Sequence, residues 1–159
     1  MIDLYFLLKW LHVVSAAVLF GAGLGTAAQM WLAHKRGNVA GLAVVTRNVV
    51  QVDWVFTGVS GVVQPVSGLL LVWIGGYGFF EPWLIASYVL FVVAAVCWFA
   101  VLAVQIRLRD MAAKSAAGAT GLPPDYRRLM AWWVGLGWPA FLGLLAVFYL
   151  MVTKPFFGD

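Results

Sequence analysis

Residues Lys9 to His34 read KWLHVVSAAVLFGAGLGTAAQMWLAH, an apolar run that carries ionisable side chains where hydrocarbon is expected. At ~100° per residue, Lys9, His12 and His34 fall within about 60° of one another on a helical wheel, with Ala16, Gly23, Ala27 and Met30 between them. Such a face cannot look at lipid and has to look at neighbouring helices.

The rest of the chain extends this reading. Of 159 residues, 64% are apolar and 10% charged, against roughly 45–50% and about 25% in soluble domains. A helix rising 1.5 Å per residue needs about 20 apolar residues to cross ~30 Å of hydrocarbon. Four runs qualify, at about 4–32, 49–74, 82–106 and 129–153. The expected fold is all-α, a four-transmembrane-helix bundle forming a single integral membrane domain over residues 1–159. Asp3 and the length of the first run argue against a cleaved secretory signal. Cys97 is alone in an apolar run and has no partner for an internal disulfide.

Charge sets the expected orientation. Lys35, Arg36, Arg47, Arg107, Arg109, Lys114, Arg127 and Arg128 fall in the connections on one side, whereas the other side has Lys9 and Lys154. The positive-inside rule then places both termini and the loop GGYGFFEP on the outer, periplasmic side of a bacterial inner (cytoplasmic) membrane. Tyr5, Trp73, Tyr77, Trp83 and Tyr149 mark one interface; Trp31, Trp54, Trp132 and Trp133 mark the other. The basic residues serve orientation and anionic headgroups rather than nucleic acid. The long loop RLRDMAAKSAAGATGLPPDYRR is expected to prolong span 3, break at Gly118, Gly121 and Pro123-Pro124, and act as a solvated connector.

Span 2 carries a second polar face. Asp53, Thr57, Ser60, Gln64, Ser67 and Gly68 lie within about 100° of one another, and a kink is expected at Pro65. His12 and Gln64 are at similar depth, so the two faces can meet. His12 is suited to ligating haem iron or relaying a proton; its plain alternative is a neutral ring bonded to Gln64 or Ser15 as interhelical glue. Lys9, one turn away, can pair with a carboxylate such as a haem propionate or snorkel to headgroups. His34 reads as part of an interfacial basic cluster, ~33 Å from His12 along the helix. Asp53 reads as a cap for span 2 or a partner of Arg47 or Arg36. Gly21, Gly23 and Gly25 permit close approach of a neighbouring backbone or a flat cofactor; Gly135, Gly137 and Gly143 read as close helix contacts. Spans 3 and 4 otherwise read as walls.

Lys9, Leu11, His12, Gly21 to Gly25 and His34 give the first span a layout that resembles the HemJ-type protoporphyrinogen IX oxidases and the CopD-like membrane proteins. Lys154-Pro155-Phe156 is similar to the K-P-F ending of HemJ. The resemblance implies a b-type haem at His12. The HemJ pattern has a lysine with accompanying histidines in its third span, and PWLIASYVLFVV has none. As a whole, the chain resembles an uncharacterised bacterial four-span family of unknown function, through KWLH, DW, QP, QIR, LGWP and VxKP.

The leading expectation is a membrane protein that binds a b-type haem or other tetrapyrrole, with a redox or haem-metabolism role and the scope of a haem-dependent oxidoreductase. His12 is the axial ligand, Lys9 the propionate partner, and Gln64, Ser60 and Ser67 line the pocket. Bis-histidine ligation needs a homodimer that brings two His12 residues together. The alternatives are a non-catalytic scaffold or anchor for a partner redox protein, and a small proton-coupled transporter dependent on Asp53 or Lys9. Membrane lipid is the remaining expected partner.

Overall fold

A computed structural model describes residues 3–155. Helix α1 runs Leu4–Arg36 and α2 runs Val39–Val52. The latter continues through a π-helical segment, Asp53–Gly58, into α3, Val59–Ile74; α4 spans Pro82–Ala117 and α5 spans Asp125–Thr153. Taking α2 to α3 as one helix, four helices are long and apolar enough to cross a membrane. Their outward surface suits that setting, since Val62 and Val96 are 65% and 63% exposed.

Capping explains where the helices begin and end. The Asp3 carboxylate accepts from the Tyr5 amide at the start of α1. Gly37 stops α1 in the left-handed conformation, with φ of 68°, which an achiral residue adopts at little cost. Asn38 then caps α2 by accepting from the Gly41 amide. The second transmembrane helix therefore starts at Val39, ten residues before the expected 49. Thr46, Arg47 and Asn48 suggest a connection, yet they lie inside the helix, where Thr46 is buried and Arg47 and Asn48 are exposed. Pro65 sits within α3, and the departure from regular α geometry lies upstream of it, at Asp53–Gly58.

Helix α1 packs along α2, the π segment and α3; α4 packs along α5; the two hairpins meet chiefly through α2 and α4. The best-filled region is the basic end. Met30, Leu42, Leu108, Ala112 and Tyr126 are almost completely buried there. Leu108, Ala112 and Ser115 form one stripe of the α4 extension and are buried, so the 107–117 half of the long loop is packed helix rather than solvated connector. The rest of that loop, after Gly118, is largely exposed.

Above this base the hairpins separate. A Cβ added at Gly21, Gly23, Gly25, Gly135 or Gly137 meets nothing within 4 Å, so these are not close-contact positions; only Gly143 of that set touches a neighbour, at Leu90 O and Ala94 Cβ. The small side chains leave space where tight packing was expected. Across the gap, the Phe20 ring stacks on Phe141 with centroids 4.9 Å apart.

At the end that carries the α3–α4 loop, a polar latch ties the hairpins together. Lys154 Nζ donates to Tyr77 Oη at 2.7 Å and lies 4.4 Å from the ring centroid. Trp83 packs edge-on to Tyr77 and donates its indole N–H to Glu81. Phe156, the last residue of the K-P-F ending, lies outside the described residues. The hydrogen bond from Lys154, together with its charge, holds the Tyr77 phenol below the usual tyrosine range. Lys154→Met removes both influences. Tyr77 is then expected to ionise at higher pH, seen as an upward displacement of the most acidic phase in a tyrosinate absorbance titration; an unchanged titration argues against the latch.

Candidate functional site

The polar residues of the interior form two clusters at different depths. In the first, the His12 ring reaches from α1 to α3, with Nδ1 2.8 Å from Ser67 Oγ. Ser67 Oγ also lies 2.6 Å from Val63 O. A carbonyl can only accept, so the hydroxyl proton goes to Val63 and the hydroxyl oxygen accepts from His12 Nδ1–H. This tautomer leaves Nε2 with the lone pair. Gln64 Nε2 donates to His12 O at 2.7 Å and to Ser15 Oγ, stitching the same helices one turn deeper. Gly68 makes room for the ring: a Cβ there falls 3.3 Å from His12 Cε1.

Of the expected haem-site residues, His12, Gln64 and Ser67 do meet. Ser15, which accepts from Gln64 and donates to His12 O, completes the cluster. Ser60 is buried on α3, with no hydrogen bond to this group. Lys9 is exposed, its ammonium 5.9 Å from the Tyr5 centroid. His34 is far away at the basic end, stacked on Tyr126 with centroids 5.7 Å apart.

The second cluster is centred on Asp53. Thr26 on α1 donates to its Oδ1 at 2.9 Å, Thr57 donates to the same oxygen at 3.2 Å, and Gln105 Nε2 on α4 donates to Oδ2 at 2.8 Å. Asp53 is 3% exposed and Gln105 2%. Asp53 is thus neither a helix cap nor an arginine partner. The earlier start of α2 moves it well inside the helix, and the widened π turn begins at this residue. Insertions of this kind concentrate at functional sites. Gln105 escapes a sequence reading because it sits at the charged end of an apolar run, where an amide looks interfacial. Thr26 is fourteen residues beyond His12, so ~21 Å of helix separates the clusters.

Between the hairpins, beside Asp53, lies a cleft of about 740 Å³. All four transmembrane helices wall it, with Phe20, Gly61, Trp98, Gln105, Trp133 and Phe141 among the contributors. Gln105 Oε1, Trp98 Nε1 and Trp133 Nε1 have no hydrogen-bond partner within the chain. His12, Lys9, Ser60, Gln64 and Ser67 take no part in the walls, and neither does any His, Cys or Met. Room for a macrocycle and a soft or imidazole iron ligand therefore do not coincide in this arrangement. Among the described residues no group of three or more His, Cys, Asp or Glu could hold a metal ion.

Fold and interior together define a class: a multi-pass helical membrane protein with two separate polar ties and an intramembrane cleft. Within that class the chain belongs to DUF2269, a family described as predicted integral membrane protein, whose model matches residues 6–155. No curated protein and no solved structure matches the chain.

The two clusters should differ in what they contribute to stability. Interhelical hydrogen bonds in membrane proteins average ~0.6 kcal/mol and reach ~1.7, which sets the cost of His12→Ala. Asp53→Ala strands Thr57 and Gln105, while Thr26 keeps Ala22 O and Gly23 O as acceptors, and a buried unsatisfied group costs about 1–3 kcal/mol. Thermal unfolding in detergent, followed by circular dichroism, should therefore place Asp53→Ala well below His12→Ala. Equal melting temperatures argue against Asp53 as the central tie.

Proposed function

We propose that this protein, a multi-pass protein of a bacterial cytoplasmic membrane with both chain ends on the periplasmic side, binds a lipid-soluble ligand in the cleft between its hairpins. The eight-to-two division of basic residues supports the orientation. The observation that carries the binding function is the cleft itself, about 740 Å³ of aromatic and small-residue walls beside a buried carboxyl and unpartnered polar atoms. Pockets in this size range, mostly apolar with a few convergent polar groups, are typical of small-molecule sites.

Its test is to fill the space. A side chain at Gly61 enters open volume. Gly61→Phe should preserve the melting temperature while removing the apolar small molecule that copurifies with the wild type, as read by mass spectrometry of organic extracts. A wild-type extract with no specifically retained molecule sinks the proposal.

A b-type haem on His12, in a redox or haem-metabolism role, is the second reading. The Ser67 hydroxyl supports it by fixing the Nδ1 tautomer and leaving Nε2 to ligate. The layout of the first span, similar to that of the HemJ type, points the same way. Because the cleft lacks His12, this reading calls for a second copy to enclose the macrocycle. Protein purified after expression with haem precursor should then show a Soret band that His12→Ala abolishes. Colourless wild-type protein, or a band that survives the substitution, removes this reading.

A further inference from the structure

We propose that the cleft selects a lipophilic organic cation, with Asp53 supplying the countercharge; this rests on the cleft being a ligand site. The first observation is the state of the carboxyl group. Thr57 and Gln105 Nε2 donate to its two oxygens, which serves a carboxylate; the Thr26 hydroxyl, whose one proton also has Ala22 O and Gly23 O in reach, can donate to the ion or accept from the acid.

The second observation is that nothing in the surrounding helices neutralises it. The Cys97 thiol lies eight residues before Gln105 on α4; the other charged or titratable groups nearest Asp53 along each packed element lie toward the basic end. These are Arg47, six residues back on α2; His34 and Lys35, eight and nine residues past Thr26 on α1; Arg107, two residues past Gln105 on α4; and Arg127 and Arg128 at the start of α5. Asp53 forms no salt bridge with any of them; among the described residues the salt bridge is Arg109–Asp110. An ionisable group inside a membrane protein without a partner of opposite charge is costly and is usually kept for function.

The third is the character of the walls. Trp98, Trp133, Phe20 and Phe141 line the cleft around this carboxyl. Aromatic faces attract cations, indole most strongly, and more so where water is excluded. A fatty acid, a phospholipid phosphate or a haem propionate brings negative charge to a site that already holds it. A bulky cation with apolar substituents meets both the countercharge and the aromatic surface.

Gln105 fits the same assignment. Its Nε2 donates to the carboxylate while Oε1 has no partner. Turning the amide presents Oε1 to a protonated Asp53, which would then donate to it. The pair can thus satisfy the acid with or without its proton, and so with the ligand absent or present.

The test uses two probes of matched shape and opposite charge, tetraphenylphosphonium and tetraphenylborate, with neutral triphenylphosphine oxide as a third. Binding to detergent-purified full-length protein is followed by tryptophan fluorescence and calorimetry. The phosphonium should bind at least tenfold more tightly than either other probe. Asp53→Asn should abolish that preference, and Gly61→Phe, which leaves the Asp53 cluster intact, should block all three. Lowering the pH should weaken phosphonium binding in the wild type and not in Asp53→Asn.

Equal binding of all three probes to the wild type, blocked by Gly61→Phe, overturns the charge selectivity and leaves the ligand cleft standing. Tighter binding of the borate overturns it as well. No binding of any probe, together with no copurifying molecule, overturns both. The probe comparison needs only wild-type protein, so a failure of Asp53→Asn to fold does not protect the proposal.

Discussion

The contact between the Asp53 carboxyl group and its partners, Thr26 on α1, Thr57 on its own helix and Gln105 on α4, organises the rest of the interior. Hydrocarbon offers no water to a polar group, so each must find a partner inside the protein. A carboxyl group, with two oxygens to satisfy, raises that demand, and here it is met from three directions. The geometry has a backbone cost. Asp53 begins the π segment, where one widened turn breaks the regular i to i−4 ladder, and Gly58 at the end of that segment lets Trp98 lie against it. The carboxylate, the irregular turn and the wall of the cleft are therefore one local feature.

Apolar surface does not drive helices together in a membrane as it does in water, because lipid tails are as apolar as leucine. This explains how packing is distributed. At the basic end, charged residues on the α4 extension carry the helices toward water, and there Leu42, Leu108, Ala112 and Tyr126 form a closed core. Midway along, contact between the hairpins falls to isolated aromatic pairs such as Phe20 with Phe141, and a smaller cluster of Val72, Trp83 and Leu84 joins them again at the far end. Glycines and alanines that could have drawn the helices together instead border open space. The cleft begins where water-driven packing ends.

The count of spans, the all-helical class and the segregation of basic residues were legible in the sequence, because hydropathy over twenty residues and charge in the connections are strong, local signals. So was the meeting of His12 with Gln64 and Ser67, which follows from helical periodicity on two spans of known direction. Helix ends were less legible. Thr46, Arg47 and Asn48 look like a loop by composition, and only the adjacent Gly37 stop and Asn38 cap show that the turn is already complete. That displacement also led Asp53 to be read as a cap. The Asp53–Gln105 pair joins residues 52 positions apart on helices whose relative rotation no single-helix pattern specifies. The cleft, a product of packing between hairpins, leaves no periodic trace.

Two polar ties join the hairpins, Gln105 with Asp53 near the closed core and Lys154 with Tyr77 at the opposite end. They are unequal. The Asp53 tie is buried and shared by three helices, so breaking it strands donors in a medium that cannot replace them. The Lys154 tie lies at the chain end, beside the exposed α3–α4 loop, where water can substitute for either partner. At the Tyr77 end the polar tie is backed by a smaller apolar cluster in which Val72 of α3 packs with Trp83 and Leu84 of α4, so the hairpins are joined at both ends and part along the cleft between. The His12 cluster adds nothing across this gap, because His12, Ser15, Gln64 and Ser67 all belong to the first hairpin. It holds α1 to α3 as one body.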